Sequence, residues 1–448
     1  MAKPFFSIVI PTCDRAELLE ENLKTCQLMT FKDIEIIVSD NFSSPKTREV
    51  VESLGFSNVH YYRTSKRLSM PDNWEFAWSH VKGEYAIFTG DDDVLLPDTL
   101  TKAYEIIKNN KAEIVIWNSC LYYHPDWVSS IKFGEIPTKG NILELYKNSN
   151  TGFISQINVD HMIKNYTNFN FHCFPNIHNF CFSTKLGKEV ESKTGRLFWP
   201  MNPDYTSALL MLGFVNKDKV FWRDHLGSCG GRSINSNAAS FYAENKKREK
   251  TAFHTFKEEF AESDLMPNHP YKLMSLINSY AAGLSLAKAV LPTEFSAFNY
   301  DPEKLLNLIA DEFNSPFRSV HLDAPEAKDM FLEMQKEIGY FPLPPLPAKI
   351  KYFTKIKHSI WQKLRKIKFL RKIKTFIQVK NKENKSADFI IYEAAAKIQI
   401  DMDYYKAKSL SEVVPHIEKL NYAHKDNVFG NLLESIKFGI IKNIYIKY

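Results

Sequence analysis

The sequence lacks any run long enough to cross a bilayer, which takes about 18 to 20 uncharged apolar residues. The nearest approach, Leu273 to Ala287, is shorter and carries Asn278, so it reads as a buried helix. No secretory leader is expected: the apolar run FFSIVI, Phe5–Ile10, stops at Pro11, as a strand does. The six cysteines (Cys13, Cys26, Cys120, Cys173, Cys181, Cys229) include no C-x-x-C pair. Free thiols in a reducing compartment are therefore expected. No internal repeat is found. These absences set aside membrane-spanning, disulfide-framework and repeat architectures.

What is present is ample for a core. The 448 residues are 44% apolar and 14% aromatic, and the length predicts two or three domains. The net charge of +6 is unevenly spread: residues 349–385 hold fourteen Lys or Arg against the single acidic Glu383. The rest of the chain is accordingly acidic on balance.

Over the first 120 residues, short apolar runs alternate with helical patterns. Strands are expected at Phe6–Ile10, Ile34–Val38, Val59–Tyr62, Tyr85–Thr89 and Ile114–Trp117. Between them, Asp14-Arg-Ala-Glu17 has the spacing of a capping box, and Ser44-Pro45 that of an N-cap with a first-turn proline. Further helices are expected from about Pro71 and Pro97. Such alternation predicts a mostly parallel sheet covered on both faces, with ligands beyond the carboxyl ends of its strands. Three strand ends carry polar residues suited to that role: Pro11-Thr12-Cys13-Asp14, Ser39-Asp40-Asn41 and Gly90-Asp91-Asp92-Asp93.

Asp91, Asp92 and Asp93 demand positive charge nearby. A hard divalent cation or a salt-bridge network would supply it, and a solvated acidic turn is the plain alternative. With Asp40 on one strand end and Arg63, Lys66 and Arg67 on the next connection, the setting suits a nucleoside diphosphate.

SIVIPTCDRAELLEENL, EIIVSDNFSS and NVHYYRTSKRLSMPDNWEFAWSHVKGEYAIFTGDDDVLLPDTL together resemble the inverting family 2 glycosyltransferases of GT-A fold. The resemblance covers about the first 110 residues and continues loosely to about residue 230. It implies an α/β, Rossmann-like nucleotide-sugar-binding domain with a mixed, mostly parallel sheet, followed by a helical C-terminal region. Pro11, Thr12, Asp14 and Asp40 would line the pocket of a nucleotide-sugar, usually a UDP-sugar, with Arg67 near the nucleotide. Asp91, Asp92 and Asp93 would hold Mn2+ or Mg2+, with Asp91 and Asp92 beside the nucleotide-sugar, although Gly90 stands where the family usually has an aspartate.

An inverting displacement also needs a general base. Asp204, in RLFWPMNPDYTSALLMLG, precedes an apolar helix and is the expected base, with a helix N-cap as its plain alternative. Gly227, Gly230 and Gly231 suggest a flexible loop from Trp222 to Asn237, from which His225 and Arg232 would reach the pyrophosphate. His172, Cys173, His178 and Cys181 fit no zinc spacing and read as core and acceptor-site residues.

Four regions are expected: a GT-A domain over 1–235, helices over 236–340, a Pro-rich hinge with a basic amphipathic helix over 341–385, and a helical segment over 386–448. The basic helix suits an anionic membrane surface. That places the chain in the cytoplasm, at the inner face of the cell membrane, with a glycan or lipid-linked acceptor. No nucleic-acid partner is expected, and the sequence allows an oligomer. Two rivals are set lower: a nucleotidyltransferase, which would open with a glycine-rich basic loop absent from PTCDRAE, and a glycan-binding module without turnover.

Overall fold

The computed structural model describes residues 3–124, 132–133, 136–137, 142–146, 154–171, 174–200, 202–232, 266, 268–314, 322, 325–341, 397–401, 409, 411–415 and 444–446. The Pro-rich hinge beyond Phe341, the basic helix and the His172–Cys173 pair lie outside them.

Strands β1 (Phe6–Thr12), β2 (Ile34–Asp40), β3 (Val59–Arg63) and β4 (Tyr85–Phe88) run parallel in the spatial order β3-β2-β1-β4. Every residue of β1 and β2 is buried, as expected when helices cover both faces of a parallel sheet. Helices α1 (Ala16–Cys26), α2 (Pro45–Leu54) and α3 (Met70–Trp78) make the crossovers. The chain winds outward from β1 to β3, then returns to place β4 on the other side of β1. That reversal opens a crevice between the loops after β1 and β4, where such sheets take ligands.

The order continues through the two-residue β5 (Val94–Leu95), α4 (Thr99–Asn110) and the long β6 (Ile114–Tyr123). The pair β7 (Lys132–Phe133) and β8 (Ile136–Pro137) stands apart, followed by β9 (Ile142–Tyr146), β10 (Ile154–Gln156) and α5 (Val159–Thr167). Then come β11 (Phe180–Ser183), α6 (Thr184–Thr194), α7 (Pro203–Phe214) and β12 (Val220–Arg232). β11 lies antiparallel between β4 and β6, making the sheet mixed. Two apolar layers sandwich it: Phe180, Phe182, Trp78 and Leu209 on one face, and Ile8, Leu19, Leu100 and Trp117 on the other.

Helices α8 (Leu276–Val290), α9 (Pro292–Phe295), α10 (Pro302–Asn314) and α11 (Pro325–Ile338) follow. Leu273–Ala287, expected as a buried helix, lies largely within α8, whose residues Tyr280, Leu284 and Ala287 join the core. Among the described residues no helix is long and apolar enough to cross a membrane.

Three expectations are corrected. The glycine-rich stretch around residue 230 is not a loop: Val220–Arg232 is one strand, parallel to β6. Its glycines answer steric need, since a Cβ at Gly227 would stand 2.5 Å from Trp117 Cδ1, and one at Gly231 1.8 Å from the Asp92 carbonyl oxygen. Residues 386–448 are not uniformly helical: β13 (Lys397–Asp401) pairs antiparallel with β9, and β14 (Ile444–Ile446) pairs with β13. The alternation in Lys397-Ile-Gln-Ile-Asp401 has a strand's period of two. Finally, Asp14 caps no helix. It takes a positive φ of 54°, and its carboxylate accepts instead from Ser44 N and Arg67.

Candidate active site

The loop after β1 delivers Thr12 and Arg15 to the crevice, and the loop after β4 delivers the three aspartates. Thr12 Oγ1 donates to Asp91 Oδ2 at 2.7 Å. Arg15 Nη2 lies 2.6 Å from Asp91 Oδ1, its Nε donates to Asp91 Oδ2 at 3.1 Å, and its Nη1 lies 3.3 Å from Asp92 Oδ2. The positive charge the cluster demands thus comes first from Arg15. Burial works against that guanidinium's charge, but the three aspartates prevail and raise its pKa. The capping-box pattern had hidden this residue; the signal was an arginine beside an aspartate at a strand end.

Asp93 faces another way. Its Oδ1 accepts from Gly231 N and its Oδ2 from Gly90 N, each at 3.1 Å. His178 Nδ1 lies 3.2 Å from Asp93 Oδ2. Burial opposes charge on both members of this pair. Their attraction outweighs it, lowering the Asp93 pKa and raising that of His178. Asn22 Nδ2 clamps the turn by donating to the Gly90 and Asp93 carbonyls at 2.7 and 2.6 Å. A Cβ at Gly90 would stand 2.8 Å from Asp93 Oδ2 and 2.9 Å from Asp92 Oδ1, so a side chain there would have to displace the carboxylates of both aspartates.

Asp92 is left with the weakest compensation. Burial pushes its carboxyl up to about 7; Arg15 pulls down, and Asp93 and Asp91 push further. Burial raises Asp91 as well, against the pull of Arg15 and Thr12, so the cluster as a whole is short of positive charge. The three side chains do not converge on a common point: among the described residues no three His, Cys, Asp or Glu side chains form a cation site. A three-carboxylate metal centre does not fit. A cation held by Asp92 alone, with diphosphate oxygens and water completing its shell, does fit the habit of Mg2+ and similar hard ions.

Asp204 lies in the first turn of α7, after Asn202 in a left-handed conformation at φ 49°. Burial raises its pKa, against the pull of the His178 charge; the Asn176 side chain hydrogen-bonds both Asp204 and Tyr205. His178 feels Asp93, Asp204 and Asp92 together. His178 thus lies within electrostatic reach of both Asp204 and the aspartates. Arg232, the last residue of β12, acts electrostatically on Tyr205 and so belongs to this region.

Asp40 ends β2 fully buried. Its Oδ1 accepts from Ser43 N at 2.8 Å, and its Oδ2 meets the Tyr61 hydroxyl and, at 3.5 Å, Arg63 Nε. Pro11 pairs with Ser39 one residue before. Arg67 Nη1 reaches Asp14 Oδ2 at 2.9 Å and the Asn41 carbonyl at 3.5 Å. His225 is not brought to the aspartates: it is buried in β12 near Lys102 and Arg223, which with burial hold its pKa well below the usual value. The register of β12 against β6 shifts on both sides of Leu226, so position along the sequence did not foretell where His225 would lie.

Residues 7–183 match the family model described as Glycosyl transferase family 2. The chain is 34% identical over 121 residues to a GalNAc(5)-diNAcBac-PP-undecaprenol beta-1,3-glucosyltransferase of Campylobacter jejuni, a match covering 26% of this chain and 38% of the relative. It is 24% identical over 186 residues to a PGL/p-HBAD biosynthesis glycosyltransferase of Mycobacterium bovis, covering 39% of this chain and 72% of the relative. Among solved structures, S. aureus TarS 1-349 in complex with UDP-GlcNAc is 14% identical, covering 75% of this chain and 93% of that one, with a TM-score of 0.41. The mannosyltransferase PcManGT of Pyrobaculum calidifontis, in complex with GDP-Man and Mn2+, is 13% identical over 75% and 87% of the two chains, with a TM-score of 0.36. At those scores neither superposition locates a ligand in this chain.

Proposed function

We propose that this chain, whose residues 7–183 match the Glycosyl transferase family 2 model, is a glycosyltransferase of GT-A fold that moves a sugar from a nucleotide-sugar to an acceptor hydroxyl with inversion at the anomeric carbon. The observation that carries the reading is the shared position of His178, which feels both the Asp91–Asp93 cluster and Asp204. On this reading the leaving-group residues and the candidate base act on one crevice at the reversal point of the sheet.

Asp204 takes the proton from the attacking hydroxyl. Its raised pKa suits that task, because a more basic carboxylate is a better acceptor near neutrality. Asn176 holds it in orientation, and His178 balances its charge. Arg15 and Thr12 fix Asp91, keeping the turn that presents Asp92. A divalent ion, Mn2+ or Mg2+, bound at Asp92 would supply charge to the departing diphosphate as a Lewis acid. Asp93 holds the turn against β12.

The acceptor we propose is a glycan or lipid-linked saccharide, in keeping with the undecaprenol-linked name of the Campylobacter relative. The basic segment 349–385 would then bring the chain to the anionic inner face of the cell membrane. We retain the four-region division of the chain as part of this reading, with the strands β13 and β14 added to the last region.

The test is nucleotide release from a panel of UDP-, GDP- and dTDP-sugars, with Mn2+ or Mg2+, with and without chelator. Acceptor-dependent release that Asp204→Asn abolishes, without loss of nucleotide binding, supports the assignment. Full turnover by Asp204→Asn removes Asp204 as the base.

A further inference from the structure

Phe42 stands two residues beyond the end of β2 and breaks two rules at once. It is a large apolar side chain, yet 45% exposed. It also takes φ 54°, in the left-handed region that a bulky side chain adopts only at a cost. The Arg63 guanidinium lies over its ring, 4.5 Å from the centroid. That arginine is itself held, donating from Nη2 to the Ser43 carbonyl at 2.8 Å and meeting Asp40 Oδ2 at 3.5 Å. The strained loop is laced to its neighbour, since Asp14 N donates to Ser43 Oγ and Ser44 N to Asp14 Oδ1, both at 2.9 Å. A fixed, exposed ring with a cation behind it thus stands at the carboxyl ends of β1 and β2.

Asp40 is the residue expected to read the base or ribose, but Ser43 N, Tyr61 and Arg63 already engage its carboxylate. Asp40 thus also ties this loop to β3. Recognition of a flat heteroaromatic group beside it falls to a face, and bases stack on aromatic rings and on arginine planes. The saccharide acceptor belongs at Asp204, across the sheet reversal, so the nucleoside end of the donor is the group left for this rim.

We propose that Phe42, backed by Arg63, is the stacking floor for the nucleobase of the nucleotide-sugar; this rests on the glycosyltransferase reading above. The loop keeps its strained backbone because the ring is needed there.

Calorimetric titration of UDP, GDP and dTDP, with inorganic pyrophosphate as the base-free control, tests it on the full chain and on Phe42→Gly and Phe42→Trp. Phe42→Gly should weaken whichever nucleotide the unmodified chain binds by roughly 5- to 150-fold, the range for one lost base stack. Pyrophosphate affinity should not change, and Phe42→Trp should bind the nucleotide as well as Phe42 does. Glycine relieves the positive φ, so the melting temperature should rise as affinity falls, a combination that unfolding cannot mimic. Nucleotide affinity within twofold of the unmodified chain, or an equal loss for pyrophosphate, overturns the proposal and leaves the glycosyltransferase reading standing. Failure of the unmodified chain to bind any of the three nucleotides removes both.

Discussion

Arg15 and Asp91 meet in a side-on pair: Nη2 stands 2.6 Å from Oδ1, and Nε donates to Oδ2 at 3.1 Å. Thr12 adds a third contact to the same carboxylate. Removing one partner of so buried a pair leaves the other charge uncompensated, which costs about 3–5 kcal/mol. Arg15→Met should therefore lower stability to denaturant by that order. Arg15→Lys should recover only part of it, because an ammonium cannot reproduce the fork. Equilibrium unfolding in urea reads both; an Arg15→Met variant as stable as the parent would show that the pair contributes nothing.

Asp204→Asn keeps shape and hydrogen-bonding while removing the proton acceptor. Transfer should fall by roughly 10²- to 10⁴-fold, the usual contribution of a general base, with donor affinity unchanged in calorimetry. Asn176→Ala, which frees the carboxylate to rotate, should lower kcat more than it raises KM.

A cation site with one protein carboxylate is incomplete without substrate phosphates. Mn2+ alone should raise the melting temperature little, and UDP with Mn2+ should raise it well beyond the two separate effects. Asp92→Asn should remove that synergy while leaving the effect of UDP alone. Strong stabilisation by Mn2+ without nucleotide would contradict a single-carboxylate site.

Gly231→Ala should be among the most damaging single-methyl changes in the chain. Its Cβ would fall 1.8 Å from the Asp92 carbonyl oxygen, which is backbone and cannot swing aside. Overpacking costs typically about 1–3 kcal/mol, and a clash this deep belongs at or above the top of that range. Thermal unfolding measures it, and an unchanged melting temperature would mean that β12 is not seated on the cluster.

His80, His225 and His269 all have lowered pKa values, with burial the leading cause. In the unfolded chain they titrate near 6.5. A depressed folded pKa means the unfolded state binds more protons, so stability is present above about pH 6.5 and lost as pH falls below it. His178 has the opposite sign, its raised pKa giving stability at low pH that fades as pH rises through the folded value. Asp92, raised to about 7, shares the sign of His178, so the histidines are read by difference: each buried one contributes a decline in unfolding free energy from pH 7 to 5.5 that its variant lacks. His269→Gln should flatten that decline, by up to about 1.4 kcal/mol per pH unit well below the unfolded pKa.

The parallel core was legible because its strands are short apolar runs closed by polar residues, and helix spacing separates them. The crevice was legible for the same reason, since Thr12, Asp40 and Asp91 all stand where a run stops. What escaped was whatever depends on a partner far along the chain. Arg15 looked like part of a helix start until the loop after β4 was placed against it. Gly227 and Gly231 looked like looseness, because the side chain and carbonyl that exclude a methyl there belong to residues more than one hundred positions away. His178 was singled out only as a core or acceptor-site residue, with nothing local to pair it with Asp93. Its meaning comes from lying between two carboxylates that only the fold brings near each other.

Asp93 makes one further point about the construction of the crevice. The same carboxylate that answers to His178 also holds the amide of Gly231, two residues before the chain passes beyond Arg232. Charge at the turn and tension on the outgoing strand are therefore mechanically one quantity. Any event that draws Asp93 toward or away from His178 acts on the amide of Gly231 as well, close to the end of β12.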